Sequence, residues 1–297
     1  MTMKAAWYEK QGTARDVLVV GTIDDPQPQR GEVRIRIAAS GVNPGDVKKR
    51  NDAFGYGMAY RRVVPHSDGA GTIDAVGDDV SADWIGRRVW CYGAQSYRPF
   101  GTAAQFTVVP LEQAVPLPDH VSFEIGATLG IPGITAHRAV HIAGDLHGRN
   151  VLVLGRGAVG SMAIMFAERA GARVVQSIDD ANGTIDHVID VDFGAHIEAI
   201  SKVLAQGASI TAYATSNPNP TIPFWPLLFQ NVRIFLIGSD DFPREAKLAA
   251  AKAINNALES GWPGPRVARR FSLDDIALAH EAVESGKERG RIVVTVE

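Results

Sequence analysis

Two rhythms of apolar residues divide the chain. Up to about residue 115 the apolar positions alternate or gather in short runs: "KAAWY", "EVRIRIAAS", "GAGTIDAVG", "RRVWCYG" and "AAQFTVV", separated by Gly, Pro and Asp. Runs of this length and period, rich in β-branched and aromatic residues, predict strands of a compact, irregular, barrel-like domain. From about residue 120 helical spacing takes over in "SFEIGATLG" and "GITAHRAVHIAG". Then come "NVLVLG", "AVGSMAIMFAERAGA" and "RVVQSI", the strand, glycine turn, helix and strand of a doubly wound parallel sheet. "ASITAYA" and "VRIFLIG" predict later strands of that sheet, and residues 243–260 and 272–285 predict helices. "GRIVVTV" predicts a closing strand that returns to the first domain.

At 297 residues the chain suits two domains or one large one. A formal net charge of -3 gives no electrostatic footprint for nucleic acid or a membrane surface. The single cysteine, Cys91, excludes an internal disulfide and a cysteine-built zinc lobe. The stretch "MTMKAAWYEK" has no apolar run of signal length, and no run reaches the ~18 residues of a membrane span. A cytoplasmic protein without membrane insertion is expected.

The chemistry lies in "VLVLGRGAVG". Four apolar strand residues run into Gly155, Arg156, Gly157, Ala158, Val159 and Gly160, which open a helix. In this GxGxxG pattern the first glycine permits a tight turn and the second lets the backbone approach a pyrophosphate. The third lets the helix pack on the strand. The helix start adds unpaired N–H groups and partial positive charge. Arg156 either touches a phosphate or lies in solvent. The second strand is predicted to end at Ile178, Asp179 and Asp180. Asp179 follows Gly155 at about the ~20-residue interval expected of a ribose-binding acid, which favours NADH; a plain turn acid is the alternative reading.

"GEVRIRIAASGVNPGDVKKR", "VPHSDGAGTIDAVG", "GITAHRAV", "VLVLGRGAVGSMA" and "ESGKERGRIVV" together resemble the medium-chain dehydrogenase/reductase superfamily, in its zinc-free quinone oxidoreductase (zeta-crystallin-like) branch. The resemblance implies a mostly β, GroES-like catalytic domain over 1–120 and 240–297, and a nucleotide-binding Rossmann domain over 121–239. Zinc-bearing members place a Cys where this chain has Asn43 and a His where it has Ser67, so no zinc is expected. His66, one position off, reads as a loop or domain-edge histidine. The resemblance further implies hydride transfer from NADPH, with NADH not excluded, to a quinone or other conjugated carbonyl held in a cleft between domains. Asn43 would hydrogen-bond the acceptor carbonyl and Thr135 would lie against the nicotinamide, with Phe54, Tyr56 and Trp225 as apolar walls. Relatives carry tyrosines where this chain has Lys48 and Phe54, with Tyr56 and Tyr60 nearby. The glycine loop is one residue shorter than the branch's "AAGGVG" form. A homodimer through "VRIFLIG" is expected, since so apolar an edge strand invites pairing. An enoyl or enone reductase of the same superfamily and a non-catalytic nucleotide-binding protein are the alternatives.

One segment conflicts with this frame. "ARVVQSIDDANGTIDHVIDV" joins two predicted strands by six residues, including Asn182-Gly183, a strong hairpin signal. In the resembled fold these strands are parallel and separated by about 40 further residues, judged against a typical domain length. Parallel crossovers need about a dozen residues or more. Three readings stand: a break in the recorded sequence between about Asp179 and Thr184, a shortened domain with a repaired sheet, or a hairpin. The first is preferred.

Overall fold

The computed structural model describes residues 1–181 and 184–296; Asn182, Gly183 and Glu297 lie outside the described residues. The chain divides into two compact units, Met1–Ile131 with Ala251–Glu297, and Pro132–Ala250.

The first unit is built on a seven-stranded sheet. Its central strand, Glu32–Val42, pairs antiparallel with Asp68–Val76, with Phe106–Pro110 and with the closing strand Arg291–Thr295. The register of Asp68–Val76 on it shifts twice, between Arg34 and Ile35 and between Ile37 and Ala39, which bends the sheet. A separate pair, Thr2–Trp7 with Val19–Asp24, completes the strand-rich part. Val33, Ile35, Ile37, Ile73, Val89 and Val294 form the centre of an apolar core. Two helices of this unit carry buried polar side chains. Pro44–Arg50, started by Asn43 with Pro44 at its first position, buries Asp46 and Arg50, and Ile276–Ser285 buries His280.

The second unit holds a five-stranded, wholly parallel sheet. The order is Arg173–Val175, Asn150–Leu154, Ile185–Asp190, Leu204–Ala212, Arg233–Leu236. Against the doubly wound order 3-2-1-4-5-6, this is 2-1-4-5-6, so the third strand is absent among the described residues. No helix among the described residues is long and apolar enough to cross a membrane.

The hairpin is ruled out. Arg173–Val175 and Ile185–Asp190 flank Asn150–Leu154 on opposite sides, both parallel to it. The strand also stops at Val175 rather than running to Ile178. Ser177 accepts a hydrogen bond from the Asp179 N–H at 3.2 Å and starts a single 3₁₀ turn, Ile178–Asp180. Because the strand is three residues long, the chain has little of it to run back along. Ala181 is buried in the sheet's apolar core, and its carbonyl accepts from the Thr184 N–H at 3.3 Å. The expected break falls partly on Asn182 and Gly183, outside the described residues.

Candidate functional site

In the second unit the glycine loop follows the strand Asn150–Leu154. Gly155 has φ +121°, a conformation that L side chains rarely adopt, and a side chain there would press on Val191 and Tyr213. A Cβ on Gly160 would stand 2.0 Å from the carbonyl oxygen of Gly155, so the first turn of the helix Ala158–Arg169 closes on the strand only if residue 160 is glycine. Nothing lies within 4 Å of a Cβ on Gly157, which starts the helix. Arg156 is exposed, and Ala158 and Val159 are half-buried. Asp179 is exposed in its 3₁₀ turn, and the residue that directly follows the strand is Gln176.

The parallel sheet reverses its order between Asn150–Leu154 and Ile185–Asp190, and ligands of such sheets bind outside that switch point. Asp190 pairs in register with Leu154, immediately before the loop. It is fully buried. Its Oδ1 accepts from His196 Nδ1 at 2.7 Å and from the Asp192 N–H at 3.1 Å, and its Oδ2 has no partner among the described residues. Burial raises the Tyr213 phenol above its usual pKa, and the Asp190 charge adds to this. Sequence reasoning missed Asp190 and His196. Their one signal is a strand ending in an acid with a histidine six residues on.

In the first unit Asn43 is buried and its side chain is engaged at both ends. Its amide Nδ2 donates to Asp68 Oδ2 at 2.8 Å, and its Oδ1 accepts from Arg291 Nη2 at 2.7 Å. Its backbone N–H donates to Asp46 Oδ2 at 2.8 Å. Asp68 Oδ1 accepts from the Ile131 N–H at 2.8 Å, at the start of the helix Gly130–His141. A Cβ on Gly130 would meet that oxygen at 2.1 Å. Arg291 Nη2 lies 4.0 Å from Asp68 Oδ2. Burial pushes the Asp68 carboxyl up to about 7, against the opposing pull of Arg291 and Asn43. Ser67 Oγ faces Asp46 Oδ1 at 3.4 Å. The position where zinc-bearing relatives hold their metal therefore carries an amide and a guanidinium locked to one carboxylate, a set that does not fit a zinc ion. Among the described residues there is no group of three or more His, Cys, Asp or Glu able to hold a metal.

Behind this cluster runs a buried polar chain with one direction. Arg50 Nε donates to His280 Nδ1 at 3.3 Å, so a neutral His280 carries its proton on Nε2. That proton points to His66 Nε2 at 2.9 Å, which leaves His66 protonated on Nδ1 and donating to Ser40 Oγ at 2.7 Å. Ser40 passes its own hydrogen to Thr102 Oγ1 at 2.7 Å, and Thr102 donates to the Asp68 carbonyl at 2.6 Å. His66 is thus not at an edge. It is fully buried with φ +77° and stacked on His280 at 5.1 Å.

The remaining predicted residues are described each within its own unit. Thr135 is buried in the helix Gly130–His141 of the second unit. Phe54 and Tyr56 are exposed on a loop of the first unit and stack at 5.9 Å. Trp225, 64% exposed, stacks on Phe229 at 6.0 Å in the second unit. Cys91 is no nucleophile: burial pushes its thiol up to about 12.

Residues 29–119 match the alcohol dehydrogenase GroES-like domain, and residues 166–294 match the zinc-binding dehydrogenase family. Mouse quinone oxidoreductase is 28% identical over 305 aligned positions, covering 91% of this chain and 90% of that protein. Since 91% of 297 residues is about 270, roughly 35 of those positions face a gap in this chain, in keeping with a sheet that lacks a strand among the described residues. An alcohol dehydrogenase superfamily protein from Novosphingobium aromaticivorans superposes with a TM-score of 0.88 at 25% identity, over 99% of this chain and 100% of that one. A mycobacterial protein solved in complex with NADPH superposes with a TM-score of 0.80 at 24% identity, over 99% of each chain. With a strand-rich unit closed by the chain's last strand, a parallel unit opened by a glycine loop, and both family matches, this chain belongs to the medium-chain dehydrogenase/reductase superfamily as a quinone oxidoreductase-like enzyme.

Proposed function

We propose that the chain is a zinc-independent, NADPH-dependent reductase that delivers hydride to a quinone or other conjugated carbonyl in the cytoplasm. The observation that carries this reading is the closed Asn43–Asp68–Arg291 cluster, which has no vacant set of metal donors. The relative named quinone oxidoreductase and the mycobacterial structure with NADPH support acceptor and cofactor. The reduced nicotinamide supplies the hydride. The protein's part is to hold both reactants. Gly155, Arg156, Gly157, Ala158, Val159 and Gly160 receive the pyrophosphate, and Asp179 stands on the adenosine side. Thr135 lies against the nicotinamide ring. Asn43 directs its second amide N–H to the acceptor oxygen, and Phe54, Tyr56 and Trp225 cover the acceptor's flat faces.

The test monitors the absorbance of NADPH with a simple quinone, and separately with an enone, in the presence of a chelator. Turnover that withstands the chelator is expected. Loss of activity to the chelator, or no oxidation with either acceptor, would sink the reading. A preference for the enone would favour the enoyl reductase alternative, and a preference for NADH would reassign the cofactor. N43A is expected to lower kcat by at least about tenfold, as lost positioning and hydrogen bonding do. G160A, which drives a methyl into the Gly155 carbonyl, is expected to weaken NADPH binding at least tenfold, about 1.4 kcal/mol, in a cofactor-fluorescence titration. An unaltered affinity would count against the loop as the cofactor's seat.

The proposal includes a homodimer. The strand Arg233–Leu236 pairs on one side only among the described residues, with Leu204–Ala212. Leu236 is 74% exposed and Phe229 71% exposed, with Phe224, Trp225 and Leu228 exposed beside them. So much apolar surface at an open sheet edge calls for a partner, and a second copy of the same strand meets it. Light scattering at micromolar concentration is expected to give twice the chain mass of 31.8 kDa; a mass of one chain would refute the dimer.

A further inference from the structure

We propose that His137 and His141 form a two-imidazole site for a divalent transition cation at the carboxyl end of the helix Gly130–His141. The spacing i, i+4 puts both rings on one face of the helix. Their ring centroids are 4.3 Å apart with the planes tilted by 49°. A metal held by one nitrogen of each ring at about 2.0–2.1 Å would set those centroids roughly 4.5–5 Å apart, close to the spacing observed. His137 is held in place by its edge-on contact with Phe166, at 5.3 Å and 89°. His141 is exposed and leaves the outer coordination positions to water.

The electrostatics fit a cation. Imidazole binds a metal through its neutral form. The site sits at the carboxyl end of the helix, the partially negative end of its dipole. Arg138 opposes the cation with its own positive charge. Two imidazoles and water favour Cu²⁺ first, then Ni²⁺ and Zn²⁺, and give no hold on Mg²⁺ or Ca²⁺. The pair is separate from the reductase machinery: Thr135 lies two residues from His137, about 200° around the same helix.

The test is calorimetric titration of protein without an affinity tag, using Cu²⁺, Ni²⁺, Zn²⁺ and Mg²⁺. One Cu²⁺ per chain is expected, bound more tightly than Zn²⁺, with no heat from Mg²⁺. H141Q changes only an exposed side chain and is expected to weaken Cu²⁺ binding at least tenfold, about 1.4 kcal/mol. H137Q should do the same, with a thermal melt to check its fold. The Cu²⁺ spectrum by electron paramagnetic resonance should show two nitrogen ligands in the wild type and lose one in H141Q. Equal Cu²⁺ affinity and an unchanged spectrum in wild type and H141Q would overturn the proposal.

Discussion

Arg291→Met is expected to lower the free energy of unfolding by about 3–5 kcal/mol, the range for removing one partner of a buried charge cluster. Arg291 is buried at the start of the closing strand and donates to Asn43 Oδ1. Methionine fills much of the same volume, so the loss is electrostatic more than steric. It leaves the Asn43 carbonyl without this donor and Asp68 without its neighbouring cation. Buried polar atoms left in that state cost about 1–3 kcal/mol, and a buried carboxylate more. Asp68 then takes up a proton more readily still. The double variant D68N/R291M should be less damaged than the two single effects combined, because it removes both charges together. Urea unfolding of the three variants measures this. A cost below about 1 kcal/mol for R291M would mean that the cluster contributes little.

The second large effect is acid sensitivity. Burial pushes His66 down to about 3 and holds His280 well below its ordinary value, with His66, Arg50 and Arg291 adding positive charge nearby. Both are neutral in the folded protein and take up protons on unfolding below pH ~6.5. The unfolded chain therefore binds more protons, and stability falls as pH falls from the unfolded value toward the folded one. At pH 5 a histidine held near 3, as His66 is, contributes about 2 kcal/mol less stability than at pH 7.5. Asp68, raised to about 7, works the other way: the folded protein binds its proton first and gains stability as pH falls through 7. H280Q isolates the histidine contribution. Its loss of stability between pH 7.5 and pH 5 should be smaller than that of the wild type. Identical pH slopes for H280Q and the wild type would refute the buried neutral pair. The same chain of donors predicts tautomers, Nε2–H on His280 and Nδ1–H on His66, which nitrogen NMR reads directly.

Several of the structure's features are plain from residues close together in the chain. The alternating runs before residue 115, the glycine turn at 155–160 and the helix behind it are short-range patterns, and each stands where the pattern puts it. Asn43 and Ser67 at the two metal positions are legible by type alone. Propensity extends the strand before Asp179 as far as Ile178, whereas the Ser177 hydroxyl turns the backbone and the strand ends at Val175.

The two kinds of layer and the glycine loop are legible in the residues alone, because each depends on residue type and on spacing within about one element. Asn43, by contrast, takes its surroundings from distant parts of the chain. Its partner Arg291 is 248 positions away, and His66 meets His280 across 214. Neither pair leaves a local trace, since a buried arginine or histidine looks in sequence like any surface one. The conflict at Asn182-Gly183 has the same origin. A hairpin signal is local, but the parallel pairing of both flanking strands with Asn150–Leu154 buries their apolar residues on a shared core, and burial of that core outweighs the preference of two turn residues.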